Sequence, residues 1–174
     1  VSYTAPVIPA WGHSIDTGTA EITGIPISAA PGDIYWPSNN LALYVPFAVP
    51  LPIRVLKLWF GCGSIGTDNF DLGLFTAAGT KLVSSGATAK AASGTEVVVD
   101  VTDTSIGPGL YYIGLSCAST GSSFYLYGFT TPIAAAYGIK QEEAAHPLPA
   151  TATMVNASSS YIPLVGMLIE ATVA

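Results

Sequence analysis

Hydrophobic positions alternate with polar or small ones along most of the chain. In residues 96–102, Val97, Val99 and Val101 alternate with Glu96, Asp100 and Thr102, the period of a strand with one buried face. Gly107, Pro108 and Gly109 interrupt this run. Tyr111, Ile113, Leu115 and Cys117 then line one face of a second strand, with Tyr112, Gly114 and Ser116 on the other. Two such runs joined by a short Gly/Pro turn predict an antiparallel pair.

Similar runs precede and follow. Leu41, Leu43, Val45, Phe47 and Val49 mark a strand, and Pro46 within it predicts an edge position. Residues 53–62 keep Leu56, Leu58, Phe60 and Cys62 in phase and put Trp59 on the opposite face. Phe70, Leu72 and Leu74 mark the next strand, which turns at 77–79 into a short one at 81–84. Residues 86–94 are a loop of small residues. Residues 133–145 are the one helix-compatible stretch, limited to a turn or two by Gly138. The last run, 162–171, is apolar on both faces and predicts a central, covered strand. About eight strands at roughly 8–12-residue spacing predict an all-β fold: an antiparallel two-sheet β-sandwich, jelly-roll-like.

Residues 1–34 differ. Pro6, Pro9, Pro26 and Pro31 punctuate them with no sustained period, and only 19–27 suits a short strand. They predict an extended N-terminal arm on a sandwich domain of residues 35–174. The arm and its junction carry Tyr3, Trp11, Tyr35 and Trp36. These aromatics suit an arm anchored on a neighbouring protein. They equally suit an arm packed back on its own domain.

Composition sharpens this. Of 174 residues, half are hydrophobic and 9% are charged, against about a quarter charged in an ordinary soluble domain. So little charge predicts a surface covered by copies of itself or by another protein. The net charge is −6, and the five basic residues are scattered, so nothing would neutralise a phosphate backbone. No apolar run approaches the ~20 residues of a membrane span. Nucleic-acid and membrane partners are therefore not expected. No basic-then-apolar leader opens the chain, although a processed start at Val1 would read the same.

Motifs with catalytic associations fail on context. GCGSIG, residues 61–66, matches G-x-G-x-x-G after a strand, but a strand follows where a phosphate-binding helix would have to open. It reads as a hairpin turn. Ser64 is no nucleophile elbow, since Cys62 stands where that motif needs glycine. His13 and His146 lie at no ligand spacing, and Glu142 and Glu143 are adjacent rather than set across a cleft. Asp68 and Asp71 read as turn caps rather than calcium ligands. The chain reads as non-enzymatic, with no catalytic, metal or cofactor-binding residues. Cys62 and Cys117 both point inward, as buried thiols or as a disulfide. Trp59, Tyr125 and Tyr127 fall out of phase with the inward residues, as oligomer contacts or as platforms for sugar rings.

The run WPSNNLALYVPF (36–47), NFDLGLFTAAGTKLVSSG (69–86), GPGLYYIGLSC (107–117) and HPLPATAT (146–153) resembles jelly-roll modules of tailed-phage virion proteins. The resemblance covers residues 35–171 and is carried by turn and strand pieces. It implies a virion structural protein, above all a capsid decoration or head-fibre protein. Such a protein would bind the major capsid protein or another virion protein as a homotrimer on the capsid surface. It also implies an alternative, a carbohydrate- or receptor-binding module of a tail or fibre. It assigns no binding residue.

Overall fold

The computed structural model describes residues 15–16, 19–23, 31–128 and 133–171. The first half of the chain forms β1 (Ile15–Asp16), β2 (Thr19–Thr23), β3 (Gly32–Tyr35), β4 (Ala42–Val49), β5 (Ile53–Gly61), β6 (Asn69–Thr76), β7 (Lys81–Ser84) and β8 (Thr88–Ala89). The second half forms β9 (Glu96–Ile106), β10 (Gly109–Cys117) and β11 (Ser123–Gly128), then the single-turn helix α1 (Ile133–Ala136). It ends with β12 (Lys140–Glu142), β13 (Val155–Asn156), β14 (Tyr161–Pro163) and β15 (Val165–Ala171). Gly138, at φ 77°, takes a conformation that stops the helix, as expected.

Eight of these strands make the sandwich. One sheet runs β2-β15-β5-β9, with β1 outside β2, and the other runs β4-β10-β6-β7. In chain order, the first of the eight lies beside the last, then the third and sixth. The second lies beside the seventh, fourth and fifth. That is jelly-roll order, as the sequence predicts. Part of the run read as an arm therefore belongs to the sheets: β2 pairs with β15, and β3 pairs with β11.

The core follows from register. In the first sheet Met167, Leu58 and Val99 form one row, and Val165, Phe60 and Val97 form the next. In the second, Val45, Ile113 and Leu74 form a row beside Leu43, Leu115 and Leu72. These residues pack into one cluster between the sheets.

The predicted pairing of 96–106 with 109–117 is overturned. β9 lies in one sheet against β5, and β10 lies in the other between β4 and β6. In jelly-roll order most consecutive strands lie in opposite sheets, so the Gly/Pro turn carries the chain across the core. The hairpin read at 61–66 is corrected likewise, because it crosses from β5 to β6. β4 is internal where β12 covers its first residues, and that cover stops at Tyr44, short of Pro46. The last apolar run divides at Leu164 into β14 and β15, which belong to different sheets.

Residues between β10 and β15, together with β3, build two additions. A three-stranded sheet, β14-β11-β3, closes one end of the sandwich. Its Phe124 touches Trp36 (4.9 Å between centroids) and Phe60 (5.7 Å), and Phe60 meets Phe70 (4.6 Å). Residues 145–154 cover the outer face of the second sheet. There Ala145, Leu148 and Ala152 pack with Ala42, Tyr44, Phe75 and Tyr112 into a second cluster.

Two aromatics read as surface contacts are buried. Trp36 is 1% exposed, and its indole donates to the Leu41 carbonyl at 3.0 Å. Trp59 is on the outer face of the first sheet as predicted, yet only 2% exposed. Its cross-strand neighbour is Gly166, and the indole occupies the space a side chain would fill there. A Cβ at position 166 would overlap the ring. Gly166→Ala should therefore destabilise the fold by about 1–3 kcal/mol through overpacking. Urea denaturation followed by tryptophan fluorescence reads this as a lowered midpoint with unchanged slope.

Candidate functional site

The outer face of the three-stranded end sheet gathers the exposed chemistry. β3 is four residues long and alternates: Gly32 and Ile34 turn toward the core, while Asp33 and Tyr35 turn out. Asp33 lies directly opposite Tyr125, and Tyr35 opposite Ser123. Directly opposed residues share a face, and diagonal ones lie roughly 7–8 Å apart. Tyr35, 54% exposed, and half-buried Tyr125 thus flank one strip of surface. The Tyr125 ring lies against Gly61, and its hydroxyl donates to the Gly94 carbonyl at 2.9 Å, so the ring is held.

The crossing segment after β5 forms the rim. Ile65 donates its N–H to the Ser123 hydroxyl (3.0 Å) and accepts from the Ser123 N–H (2.9 Å), which fixes its 42% exposed side chain beside the strip. Asp33 reaches across: one carboxylate oxygen accepts from the Ser64 N–H at 3.0 Å and from its hydroxyl at 2.6 Å. Burial pushes the Asp33 carboxyl up. Hydrogen bonds from Ser123 and Ser64 and the Lys90 charge outweigh it and hold the group below its ordinary value. The strip carries a fixed, ionised acceptor.

Beneath this rim lies a buried ammonium. Lys90 is 2% exposed, and its Nζ donates to the carbonyls of Gly63 (2.9 Å), Gly66 (3.2 Å) and Ala91 (3.1 Å). It sits 5.6 Å from the Phe124 ring centroid, within cation–π range. Side chains at 63 and 66 would collide with Asp33, Gly121 and the serines at 122 and 123. The G-x-G-x-x-G spacing is thus a requirement for close approach between two segments.

Of the aromatics singled out in the sequence, the structure brings together Tyr35 and Tyr125. Trp36 and Trp59 are buried and touch no surface partner. Half-buried Tyr127 packs on the core opposite Ile162, and burial pushes its phenol up. Tyr3 and Trp11 lie outside the described residues. Asp33 and Ile65 were missed. The signal for Asp33 was the alternation in GDIY, short enough to pass as loop.

A second polar group underlies residues 145–154. Buried Asp71 accepts from the Leu148 N–H (3.0 Å) and the Ser85 hydroxyl (3.3 Å). Ser116, beside it on β10, lies 3.0 Å from His146 Nδ1. Burial lowers the His146 pKa, against the nearby Asp71 charge. Tyr44 donates to Glu142 at 2.8 Å, and burial with that bond pushes its phenol up. All serve to seat the covering segment. Asp68 is engaged separately with Ser122 (2.9 Å), away from Asp71, and among the described residues no metal-ligating cluster forms. Cys62 and Cys117 are free, buried thiols, and burial pushes that of Cys117 up.

The fold belongs to the β-sandwich class, and solved structures share it. One is a clostridial cysteine protease, Cwp84, after propeptide cleavage: TM-score 0.59, 11% identity, 91% of this chain and 41% of that one covered. Another holds the cysteine protease and lectin-like domains of Cwp84, a surface layer associated protein of Clostridium difficile. It has TM-score 0.52 and 12% identity, covering 91% of this chain and 37% of that one. The chain spans about two fifths of those chains. No protein-family model matches the sequence, and no curated protein does either.

Replacing Lys90 by Met keeps the stem and removes the ammonium, leaving buried carbonyls unpaired. The expected cost is about 2 kcal/mol, or roughly 4–8 °C in Tm for a chain of this size. A calorimetric Tm within a degree or so of wild type would contradict the clamp.

His146 gives a pH signature. Its folded pKa lies below the ordinary 6.5, so the unfolded chain binds more protons in that window. Stability is complete above the unfolded value and falls as pH drops through it. Tm should fall from about pH 7 to about pH 5, and His146→Gln should lose less over the same range.

Proposed function

We propose that this chain is a carbohydrate-binding module, and that the strip formed by Tyr35, Asp33 and Tyr125 with the Ile65 rim is its contact surface. The observation that carries the reading is the placement of an exposed Tyr35 ring beside the fixed, ionised Asp33 carboxylate on one face. Sugars present apolar C–H faces edged by hydroxyls, so an aromatic plane beside an acceptor matches both parts. The likeness to chains that include a lectin-like domain supports this at the level of fold. Of the three sequence candidates for stacking, Tyr125 belongs to the strip, Tyr127 packs on the core, and Trp59 has no part in it because its indole lies on Gly166 and is buried.

The alternative, decoration of a capsid by an aromatic arm, draws on the sequence resemblance. Of its anchors, Trp36 is committed to the core and Tyr35 belongs to the strip.

A glycan array followed by titration calorimetry tests the reading. Saturable binding to at least one oligosaccharide is expected. Tyr35→Ala should weaken it about three- to tenfold, the loss of one stacking contact, with Tm unchanged because the ring is exposed. No saturable binding at millimolar glycan, or binding indifferent to Tyr35→Ala, would remove the strip as a sugar site.

A further inference from the structure

We propose that the strip selects a cationic amino sugar, a glycan carrying unacetylated 2-amino groups, over neutral and acidic glycans. The proposal rests on the carbohydrate reading above and adds the class of sugar.

Asp33 keeps a free acceptor position at the surface, and the cation that acts on it, Lys90, does so through space from below. A carboxylate offers about four acceptor positions. Ser64 fills two on Asp33 with its N–H and hydroxyl, and Ser123 fills a third. Asp33 itself is exposed, on the face that carries Tyr35.

Among the described residues, no lysine or arginine is left to pair with it at the surface. Arg54 is committed to Asp103 and Glu170, and Lys57 faces Asp100, all on the outer face of the first sheet. Lys81 is bound to the Leu148 carbonyl and Lys140 to Asn156. Lys90, which acts on Asp33 through space, is buried below the rim with its donors on three carbonyls. These five are all the lysines and arginines of a chain with net charge −6.

A sugar ammonium fits what remains. It brings three donors, and a bond between two charged groups is about twice as strong as a neutral one. Tyr35 adds a ring face on which a cation is favourable. An acetamido group at the same position loses the charge and adds bulk. A uronic or sialic acid would set like charges together.

The test compares short oligomers by calorimetry: chitosan oligosaccharide (unacetylated), chitin oligosaccharide (acetylated), cello-oligosaccharide and oligogalacturonate. The unacetylated oligomer should bind about tenfold tighter than the acetylated and neutral ones, and the acidic one not measurably. Asp33→Asn should bring the unacetylated oligomer down to the level of the neutral ones. Raising sodium chloride from about 0.05 to about 0.5 M should weaken wild-type binding of the amino sugar alone. This last arm needs no variant, so it stands if Asp33→Asn folds poorly.

Equal binding of amino and neutral sugars, still sensitive to Tyr35→Ala, overturns the selectivity and leaves the module reading in place. Amino-sugar binding untouched by Asp33→Asn is attraction to net charge at large and also overturns it. Binding of none of the four in this assay, with some other glycan captured on the array, overturns the selectivity alone. An empty array removes both.

Discussion

One end of this sandwich depends on a single buried ammonium. The chain leaves β5 in one sheet and must reach β6 in the other, so residues 62–68 run across the open end with few ladder partners. Their carbonyls turn inward at Gly63 and Gly66, where an unmet acceptor costs about 1–3 kcal/mol. Lys90 meets both, and Ala91 as well, with one Nζ. An ammonium has three donors and no acceptor, which suits a cage made only of carbonyl oxygens. Phe124 adds an aromatic face, and the Asp33 carboxylate lies within reach of its charge. The outward result is a rim whose backbone is fixed, with Ser64 and Ile65 displayed on it. Binding residues are more effective on such a support than on a free loop.

The low charge content has an explanation within the chain itself. A two-layer sandwich ordinarily leaves its outer faces to water, and alternate strand positions are then polar. Here β10 is buried on both faces: Ile113 and Leu115 look into the main core, and Tyr112 looks into the second cluster under residues 145–154. The end sheet adds Phe124, Leu126 and Ile162 to the main core. A chain that covers one of its own outer faces needs fewer charged positions than a bare sandwich. The other outer face is more polar, with Arg54, Lys57, Asp100, Asp103 and Glu170. Its exception is Trp59, lodged over Gly166.

Which parts were legible in the sequence follows from what periodicity encodes. Val97, Val99 and Val101 do face the core, and the order of the eight main strands is that of a jelly roll. Alternation reports which face is buried and says nothing about which sheet a strand joins. Gly107-Pro108-Gly109 therefore served equally as a hairpin or as a crossing, and the nearer pairing was the wrong one. Trp59 shows the same limit one step further on. Its face was legible, but its burial came from a glycine more than a hundred residues away that only register places beside it. Asp33 was hidden for the opposite reason. A four-residue strand carries two alternations, too few to separate GDIY from the Pro/Gly-rich run around it. Lys90 lay in a loop of small residues whose composition gave no hint of a cage.

The state of Asp33 bears on what this face can do to a sugar. Glycosidic cleavage needs a carboxylic acid with a raised pKa to protonate the leaving oxygen, and a second carboxylate across the bond. Asp33 goes the other way: donors from Ser64 and Ser123 and the charge of Lys90 hold its carboxyl below the ordinary value. Asp68, at the end of the rim segment, is engaged with the Ser122 hydroxyl. A carboxylate held ionised and clamped from one side is a poor proton donor and a good acceptor. Its neighbours Tyr35 and Tyr125 add aromatic surface. The same hydrogen bonds that favour the ionised form of Asp33 also fix where its charge sits on the face that carries Tyr35. Recognition of a cationic, ring-shaped ligand needs that arrangement.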